Sequence, residues 1–579
     1  MLPQPADKDL ASKEMDQINT KVRFWQTFAF VTLIVIMAAA IRWSLDHPFG
    51  VHWDETQYLN EVAIDTQRLQ AGFLLKCMGR ILLKSWGRPP AYRLFAVPVL
   101  ALFGFHTATA RLVTLACFAL TAWFIYLATK RIANQVAGAF AVLVFCLAPQ
   151  VISASIWFSS EGPLYLATSA MLYYLFASWT DTSERSRNWI GLGLAVGLGL
   201  LSKTSFVLIG LPVLAFALAV DIWKGRSKRP GGSRLSSLLK AGALALLVAG
   251  PWWLLNAKAA FGFAKWARSD VRFSLGPASQ GTWARWFSAV LQGLLGHGVS
   301  LIIGLVLLAC FYKAIIRKET ILDPLQKRAI EACVFAGLPL VLSQLFGVDY
   351  ALRLISAVVI PIAIAVGVLA DKTGWARRSV TMAISSLLFL GQLVMIVWPV
   401  LSPNNHLVGP GLFNIGVLPW RVMARADQWA WRPVQDISHN CGLDDPKISY
   451  LGNGQAFNLP QIEYPWAVKA LSTKSAAVDF PAVTWLWRYE EGPIDWQKVV
   501  GLAAQSDIVV TAPNYVGRYE DRENLDNQYN TEFADRLTKD PRFKGPIHIE
   551  MGRFEPVDVL LFVNQGLTCQ PQGQAKVGR

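Results

Sequence analysis

Residues 24–41 read FWQTFAFVTLIVIMAAAI, which is eighteen consecutive positions without a charged side chain. An apolar run of this length can cross the roughly 30 Å hydrocarbon core of a bilayer as an α-helix. Comparable runs recur through the first 400 of the 579 residues. Charged residues make up 16% of the chain, whereas a soluble protein carries about 25%. The composition therefore predicts a polytopic α-helical membrane protein and excludes both a soluble enzyme and a disordered chain.

The apolar runs predict about eleven transmembrane helices, and the loop charges predict their orientation. Lys and Arg side chains precede the first run, so the positive-inside rule places residues 1–23 in the cytoplasm. An odd number of spans then places the chain after residue 401 outside the cytoplasm. We therefore expect a multi-pass protein of the inner (plasma) membrane with a periplasmic C-terminal domain. The predicted spans lie near 24–44, 107–129, 134–153, 163–178, 189–202, 205–222, 241–256, 286–312, 329–347, 354–371 and 379–400.

The positive charge of the chain is concentrated in its membrane part. Residues 402–579 hold 17 basic and 20 acidic side chains, and the first 401 residues hold the other 37 basic and 19 acidic ones. Lys and Arg in cytoplasmic loops explain this surplus, because they set the topology. No nucleic-acid partner is therefore predicted, and residues 402–579 are interpreted as a separate, near-neutral domain.

In residues 402–579 short apolar strands alternate with helical patterns, which predicts an extracytoplasmic α/β domain. In that oxidising location a disulfide between Cys441 and Cys569 is expected, with two free thiols as the alternative. No Cys or His spacing resembles a metal site. The predicted strands are Lys447–Leu451, Val483–Trp487, Asp507–Thr511, Ile547–Glu550 and Asp558–Phe562.

The first outer loop, residues 45–106, departs from the positive-inside pattern. A basic cluster on the translocated side is unfavourable for topology. Two explanations remain open: the cluster binds an anionic group such as a phosphate, or it belongs to an amphipathic helix at the membrane interface. Its residues are Lys76, Arg80, Lys84, Arg88 and Arg93.

Ionisable residues near the outer ends of the spans are the candidates for function, because charges at membrane depth are costly. Asp54 and Glu55 follow the first span, where a carboxylate can act as a general base or simply favour a helix N-terminus. Glu161 lies at the end of the third span, Lys203 between the fifth and sixth, and Arg353 between the ninth and tenth. Each alone could be an ordinary loop charge. Together they place carboxylates and cations on one face, which suits transfer from a phosphate-bearing lipid.

A set of short motifs, spread in order over roughly residues 20–370, resembles the motifs of the GT-C superfamily of membrane glycosyltransferases. The resemblance is to the bacterial branch related to protein O-mannosyltransferases and the lipid A aminoarabinose transferase. One position departs from the pattern, because Leu354 stands where that branch has a tyrosine. The motifs are Asp54-Glu55-x-x-Tyr58, Arg88-Pro89-Pro90-Ala91-Tyr92, Gly197-Leu198-Gly199-Leu200-Leu201-Ser202-Lys203, Gly250-Pro251-Trp252-Trp253-x-x-Asn256 with Phe261-Gly262, and Arg353 with Pro361.

The resemblance implies a GT-C-like membrane module over residues 24–401 that transfers a sugar from a polyprenyl-phosphate donor to a hydroxyl acceptor. The acceptor would be a lipid, a glycan or a protein. It implies Asp54 as the general base of an inverting reaction, Glu55 as a residue that positions acceptor or base, and Glu161 as the second acidic position. No cofactor is required by this mechanism, although in families that use a divalent metal here the acidic residues would be its ligands. The implied phosphate-binding residues are Lys84, Arg88, Lys203 and Arg353, and the other implied substrate-binding residues are Tyr58, Tyr92 and Asn256.

Two other classes of protein remain as alternatives. A lipid or glycan transporter or flippase with an outer accessory domain would also be polytopic. It would be expected to show an inverted repeat and charges lining a path at the bilayer midplane, and neither is visible. A glycan-binding or assembly protein that keeps the fold without activity is the third possibility.

Overall fold

The structure, a computed structural model of the full chain, describes most of the sequence in fourteen stretches. Its residues group into two compact units. The first consists of Met1–Ser44, Ile81–Tyr92 and Arg111–Trp420, and the second of Leu45–Arg80, Arg93–Ala110 and Arg421–Arg579. The described stretches are residues 5–47, 53–83, 87–181, 187–225, 232–269, 290–345, 352–401, 431–443, 445–453, 459–471, 481–486, 494–516, 520–551 and 557–567.

Within the described stretches up to residue 401, the regular structure is helical. In order, its α-helices are α1 (Pro5–Asp46), α2 (Trp53–Gln70), α3 (Leu74–Leu83), α4 (Ala91–Phe103), α5 (Thr107–Ile132), α6 (Gln135–Cys146), α7 (Pro149–Ile156), α8 (Glu161–Thr180), α9 (Asn188–Ser202), α10 (Val207–Gly225), α11 (Gly232–Ser269), α12 (His297–Phe311), α13 (Pro324–Leu345), α14 (Leu352–Ile355), α15 (Val359–Lys372) and α16 (Ser379–Leu401). Short 3₁₀ turns at Thr204–Phe206 and Ser356–Val358 and π-helical turns at Val290–Leu294 and Tyr312–Ile316 join some of them.

Each of the eleven predicted spans contains a helix, although residues 286–289 lie outside the described stretches. By length and composition, seven of the described helical segments can cross a membrane, or eight if the bent pair α6–α7 is one span. The two halves of that pair meet at 68°. Large side chains such as Leu211, Leu246 and Leu254 are 65–88% exposed on these helices. Such apolar surface suits contact with lipid.

Two close approaches fix the packing of the first unit. A Cβ on Gly193 of α9 would lie 2.8 Å from the carbonyl oxygen of Ala241 on α11. A Cβ on Gly367 of α15 would lie 2.5 Å from the carbonyl oxygen of Ala137 on α6. A side chain at either position would push two helix backbones apart, so the small residues set these helix distances.

The break between α6 and α7 is held by a buried amide. Gln392 of α16 donates from Nε2 to the carbonyl oxygens of Leu147, in the break, and Leu295, and its Oε1 accepts from the backbone N–H of Val299. A buried amide that satisfies both of its ends in this way specifies one arrangement of the backbone around it. The direction of α7, which leads to Glu161, depends on this contact.

The C-terminal part of the second unit contains a five-stranded sheet with the order β2-β1-β3-β5-β4. β1 pairs in parallel with β2 and β3, whereas β5 pairs antiparallel with β3 and β4. All five strands lie at the predicted positions. The elements are α17 (Trp431–Asn440), β1 (Lys447–Asn453), α18 (Leu459–Leu471), β2 (Ala482–Trp485), α19 (Trp496–Ala503), β3 (Ile508–Val516), α20 (Glu520–Lys539), β4 (Phe543–Met551) and β5 (Val557–Asn564).

Helices cover both faces of this sheet. One core joins α17 and α18 to the sheet through residues such as Ile437 and Ile462. The other joins α19 and α20 to the opposite face through residues such as Ala503 and Phe533. The alternation of strand side chains, for example Ile508 and Val510 in the first core and Val509 in the second, explains the division. The result is a three-layer α/β arrangement.

Cys441, directly after α17, is disulfide-bonded. Its predicted partner Cys569 lies outside the described residues, so the pairing stays a prediction. Among the described cysteines, those with free thiols are Cys77, Cys117, Cys146, Cys310 and Cys333.

We expect non-reducing peptide mapping of the full chain, purified from an oxidising compartment, to find Cys441 joined to Cys569. Reduction should lower the thermal midpoint, because closing a loop of about 100 residues contributes roughly 4–5 kcal/mol in the chain-entropy estimate. If both residues are alkylated before reduction, the predicted bond does not exist.

Candidate functional site

In the first unit, a buried carboxylate begins helix α8. The chain leaves α7 at Ile156, crosses the residues 157–160 and re-enters a helix at Glu161, which is 1% exposed. An acidic residue in the first turn suits the positive end of the helix dipole. A buried carboxylate also needs cationic partners, because desolvation strongly disfavours an isolated charge.

Two cations from distant segments bind the same oxygen of Glu161. The Nζ of Lys203 lies 2.7 Å from Oε1, and the Nε of Arg353 lies 3.2 Å from it. Lys203 takes an extended conformation between α9 and the following 3₁₀ turn, and Arg353 lies in the short helix α14. The side chains of Lys203 and Arg353 stay 18% and 23% exposed, whereas that of Glu161 is 2% exposed. The carboxylate is therefore buried, whereas both cations remain partly exposed.

Aromatic and hydroxyl side chains hold Arg353 in place. Its guanidinium lies 5.3 Å from the ring centre of Trp157. The Tyr165 hydroxyl donates to Ser356 Oγ at 2.5 Å, and Ser356 Oγ donates to the Arg353 carbonyl oxygen at 2.6 Å. Trp157, Tyr165 and Ser356 are not among the residues predicted from the sequence. The spacing of one helical turn from Glu161 to Tyr165 and from Arg353 to Ser356 is the signal that could have found the last two.

Helix α11 supports both the turn at Lys203 and the segment that carries Arg88. The indole N–H of Trp253 donates to the Leu200 carbonyl oxygen at 3.0 Å, three residues before Lys203. One turn along α11, Asn256 Nδ2 donates to the carbonyl oxygen of Leu82 at 2.7 Å. The Pro-Trp-Trp-x-x-Asn motif thus binds the backbone at two places, Leu200 and Leu82. Asn256 was expected to bind substrate. In the structure its amide donates to the backbone at Leu82.

The Arg88 segment approaches α11 closely. Gly87 has a φ of +74°, and a Cβ there would lie 2.6 Å from the Ala259 carbonyl oxygen, so a glycine is required on both grounds. The Arg88 guanidinium lies 5.2 Å from the ring centre of Phe263. Tyr92 is buried and meets the Phe158 ring edge to face, with the ring centres 5.9 Å apart. Lys84, the remaining predicted residue of this segment, lies outside the described residues.

In the second unit, helix α2 carries the predicted base. Asp54 and Glu55 lie in its first turn, as the dipole favours. Asp54 is partly exposed, whereas Glu55 is fully buried and Tyr58 is 7% exposed. Of the two adjacent carboxyl groups, that of Asp54 is therefore the one accessible to a substrate.

Helix α18, which the sequence analysis did not name, packs along α2. Asn60 Nδ2 donates to the Pro460 carbonyl oxygen at 2.8 Å, and the hydroxyls of Thr107 and Tyr464 share a hydrogen bond of 2.8 Å. Burial raises the pKa of Glu463, on the same helix, to about 7. Through the hydrogen bonds at Pro460 and Tyr464, the C-terminal part of the unit supports the helix that carries Asp54.

The basic cluster of the first outer loop is only partly available to a ligand. Arg80 and Arg93 both form ion pairs with Asp65. Helix α3 buries Cys77 and Ile81 and exposes Leu74, Leu75 and Leu83. For the residues of α3 this distribution favours the second of the two explanations left open by the sequence, an amphipathic helix at the membrane interface.

Across the stretches that the structure describes, no group of three or more His, Cys, Asp or Glu side chains is arranged to hold a metal ion. At Glu161 the cations of Lys203 and Arg353 already occupy the carboxylate. Their charge disfavours a divalent cation there.

Comparisons with known proteins find a matching family and similar structures. The family model described as dolichyl-phosphate-mannose-protein mannosyltransferase matches residues 87–255. Undecaprenyl phosphate-alpha-4-amino-4-deoxy-L-arabinose arabinosyl transferase 2 of Pseudomonas fluorescens is 30% identical over 152 residues, which are 26% of this chain and 24% of that protein. The matched family region holds Arg88, Tyr92, Glu161 and Lys203, whereas Arg353 lies beyond it.

Two solved structures share the fold of nearly the whole chain. The crystal structure of ArnT from Cupriavidus metallidurans bound to undecaprenyl phosphate has a TM-score of 0.54 at 15% identity, covering 94% of this chain and 99% of that one. The apo structure of the same protein has a TM-score of 0.55, covering 92% and 97%. At this identity the two structures show that the chain shares the ArnT fold, and the family match to residues 87–255 agrees with the resemblance found in the sequence.

Glu161→Gln should lower the stability of the protein. The amide keeps an acceptor but removes the charge that balances two partly buried cations, which costs about 1–3 kcal/mol. The thermal midpoint of the purified full-length protein in detergent measures the loss. The matched control is Glu532→Gln, which breaks a surface pair with Arg536 in which both side chains are 45% exposed. Equal midpoints for the two variants would contradict the role given to Glu161.

Proposed function

We propose that this protein is a membrane glycosyltransferase that moves a sugar from a polyprenyl-phosphate donor to a hydroxyl group of an acceptor. The observation that carries the proposal is the cluster of Lys203 and Arg353 on the buried carboxylate of Glu161, within the fold of an ArnT structure that holds undecaprenyl phosphate. The Pseudomonas relative, which is named for an undecaprenyl-phosphate sugar, supports the same class of donor.

The proposed role of Lys203 and Arg353 is to bind the phosphate of the donor. Lys203 and Arg353 are partly exposed cations held on one buried carboxylate, and the negative charge of a phosphodiester is a suitable partner for them. When the bond between the anomeric carbon and the phosphate oxygen breaks, the leaving polyprenyl phosphate gains a second charge. Positioned cations stabilise that charge as it develops. Arg88 and Lys84 are further candidates for this contact.

Glu161 has a supporting role in this proposal. Its carboxylate would repel a phosphate, so it does not touch the donor. Instead, it holds the Lys203 and Arg353 head groups in fixed positions before the donor arrives. Cations that are already oriented lose less entropy when they bind, and they need little reorganisation during the reaction.

Asp54 is proposed as the general base. Its partly exposed carboxylate takes the proton of the acceptor hydroxyl, and the oxygen attacks the anomeric carbon opposite to the leaving phosphate, which inverts the configuration. Glu55 and Tyr58, which are buried in the same turns of α2, orient this end of the helix. The neutralisation of the leaving group is assigned to Lys and Arg, so the proposed mechanism requires no cofactor.

The proposed setting is the inner membrane, with the reaction on its outer face and the C-terminal α/β part in the periplasm. The apolar helices and the positive-inside pattern of the loops support this orientation. The acceptor is then a lipid, a glycan or a protein of the cell envelope.

Asp54→Asn is expected to reduce sugar transfer by about 100- to 10,000-fold, because the amide cannot take the proton. The assay follows transfer of labelled sugar from polyprenyl-phosphate sugars in host membrane vesicles that contain the full chain. Asp558→Asn, which changes a carboxylate 44% exposed beside His548, is the matched control. Near-normal turnover in Asp54→Asn with normal expression would contradict the assignment of Asp54 as the general base.

Lys203→Ala and Arg353→Ala should each weaken binding of undecaprenyl phosphate by about 10- to 150-fold, because a charge-assisted hydrogen bond contributes roughly 1.5–3 kcal/mol. Tryptophan fluorescence of the purified protein gives the Kd, since Trp157 lies against Arg353. Arg536→Ala removes an exposed arginine as the control. An unchanged Kd in both variants would show that neither side chain binds the phosphate.

A further inference from the structure

One buried carboxylate in the second unit binds two different arginines. Asp65, on α2, is fully buried, and each of its oxygens has its own partner. Arg80 Nη1 lies 2.7 Å from Oδ1, and Arg93 Nε lies 2.6 Å from Oδ2. Arg80 Nη1 also donates to the Glu61 carbonyl oxygen at 3.0 Å. Both arginines are therefore fixed against the same stretch of α2.

The two arginines flank one segment of the chain. Arg80 directly precedes residues 81–92, and Arg93 directly follows them. This segment holds Lys84 and Arg88, which the proposed function names as candidates for binding the donor phosphate. The residues at its entry and at its exit are thus bound to one carboxylate.

The surroundings of this contact are dry. The side chains of Asp65 and Arg93 are both 0% exposed and that of Arg80 is 13% exposed. Burial raises the pKa of the neighbouring Cys77 thiol to about 11. At low effective dielectric a displaced partner would leave an uncompensated charge, so the geometry tolerates little movement.

Stability alone does not account for such a contact. A buried ion pair often contributes no more to stability than well-packed apolar residues of the same volume. Its distinctive property is that it requires one arrangement of its partners. Both guanidinium groups are also engaged with Asp65, so they serve as ties and not as phosphate ligands.

We propose that Asp65 is a positioning residue that clamps both ends of residues 81–92 and thereby preorganises the donor-binding residues they contain. The inference rests on the proposed function for its link to the donor. The clamp itself does not depend on that function, and a separate measurement tests it.

The test compares variants of the full-length protein in detergent. Arg80→Gln removes one tie and leaves the buried Asp65–Arg93 pair intact, so it is the variant best suited to fold. Arg80→Lys restores a cation as the conservative rescue, and Asp65→Asn removes the charge that both ties share. Arg536→Gln, which breaks the surface pair with Glu532, is the matched control.

Two readouts are measured for each variant. Hydrogen exchange in peptides that cover residues 81–92 reports the clamp, and the Kd for undecaprenyl phosphate reports the effect on the donor. For Arg80→Gln we expect about a tenfold increase in both the exchange rate of this segment and the Kd, with recovery in Arg80→Lys. Exchange in the sheet β1–β5 should stay at the wild-type rate.

Three outcomes are distinguished, and each would contradict a different part of the proposal. Unchanged exchange of residues 81–92 in both Arg80→Gln and Asp65→Asn, or a uniform increase over the whole chain, rules out the clamp. Faster exchange of the segment with an unchanged Kd rules out the link to donor binding. If the wild-type protein does not bind undecaprenyl phosphate, the proposed function fails, and the exchange data still decide on the clamp.

Discussion

The arrangement of the first unit depends on one constraint, which is the burial of the Glu161 carboxylate. An isolated charge in these apolar surroundings would be strongly destabilising, so the fold must bring cations to it. Lys203 and Arg353 come from segments far apart in the sequence and meet at a single oxygen. The close helix approaches at Gly193 and Gly367 and the amide of Gln392 fix the helices between these segments. The cluster is therefore a product of the whole helix packing.

Each of the two units contains a buried carboxylate that is paired with two cations, but the exposure of the cations differs. At Glu161 and at Asp65 one buried carboxylate binds two cations. Around Glu161 the cations are partly exposed, which leaves them able to bind an anion. Around Asp65 they are turned inward and almost fully buried, which makes them structural ties. The exposure of the cations, and not their number, is what differs between the two clusters.

The structure also changes the interpretation of residues that looked functional by type. Arg80 and Arg93 had the charge expected of phosphate ligands, but each is bound to Asp65. Asn256 was expected to contact substrate, and its amide supports the backbone at Leu82. Glu55 has the same carboxyl group as Asp54 but is fully buried. For Arg80, Arg93 and Asn256 the structure adds partners, and for Glu55 it adds burial, that the residue type alone does not indicate.

The sequence by itself determined the membrane class, the apolar helical runs and the positions of the five strands, and it singled out Glu161, Lys203 and Arg353 as ionisable residues near the ends of spans. These follow from local properties: apolar length against bilayer thickness, alternation along a strand, and the cost of a charge at membrane depth. Only the tertiary structure decided the Asp65 pairing with Arg80 and Arg93, the hold of Trp157 and Ser356 on Arg353, and the packing of α18 on α2. These depend on which side chains meet across the fold. Such meetings are set by the packing of many residues at once, and no short stretch of sequence encodes them.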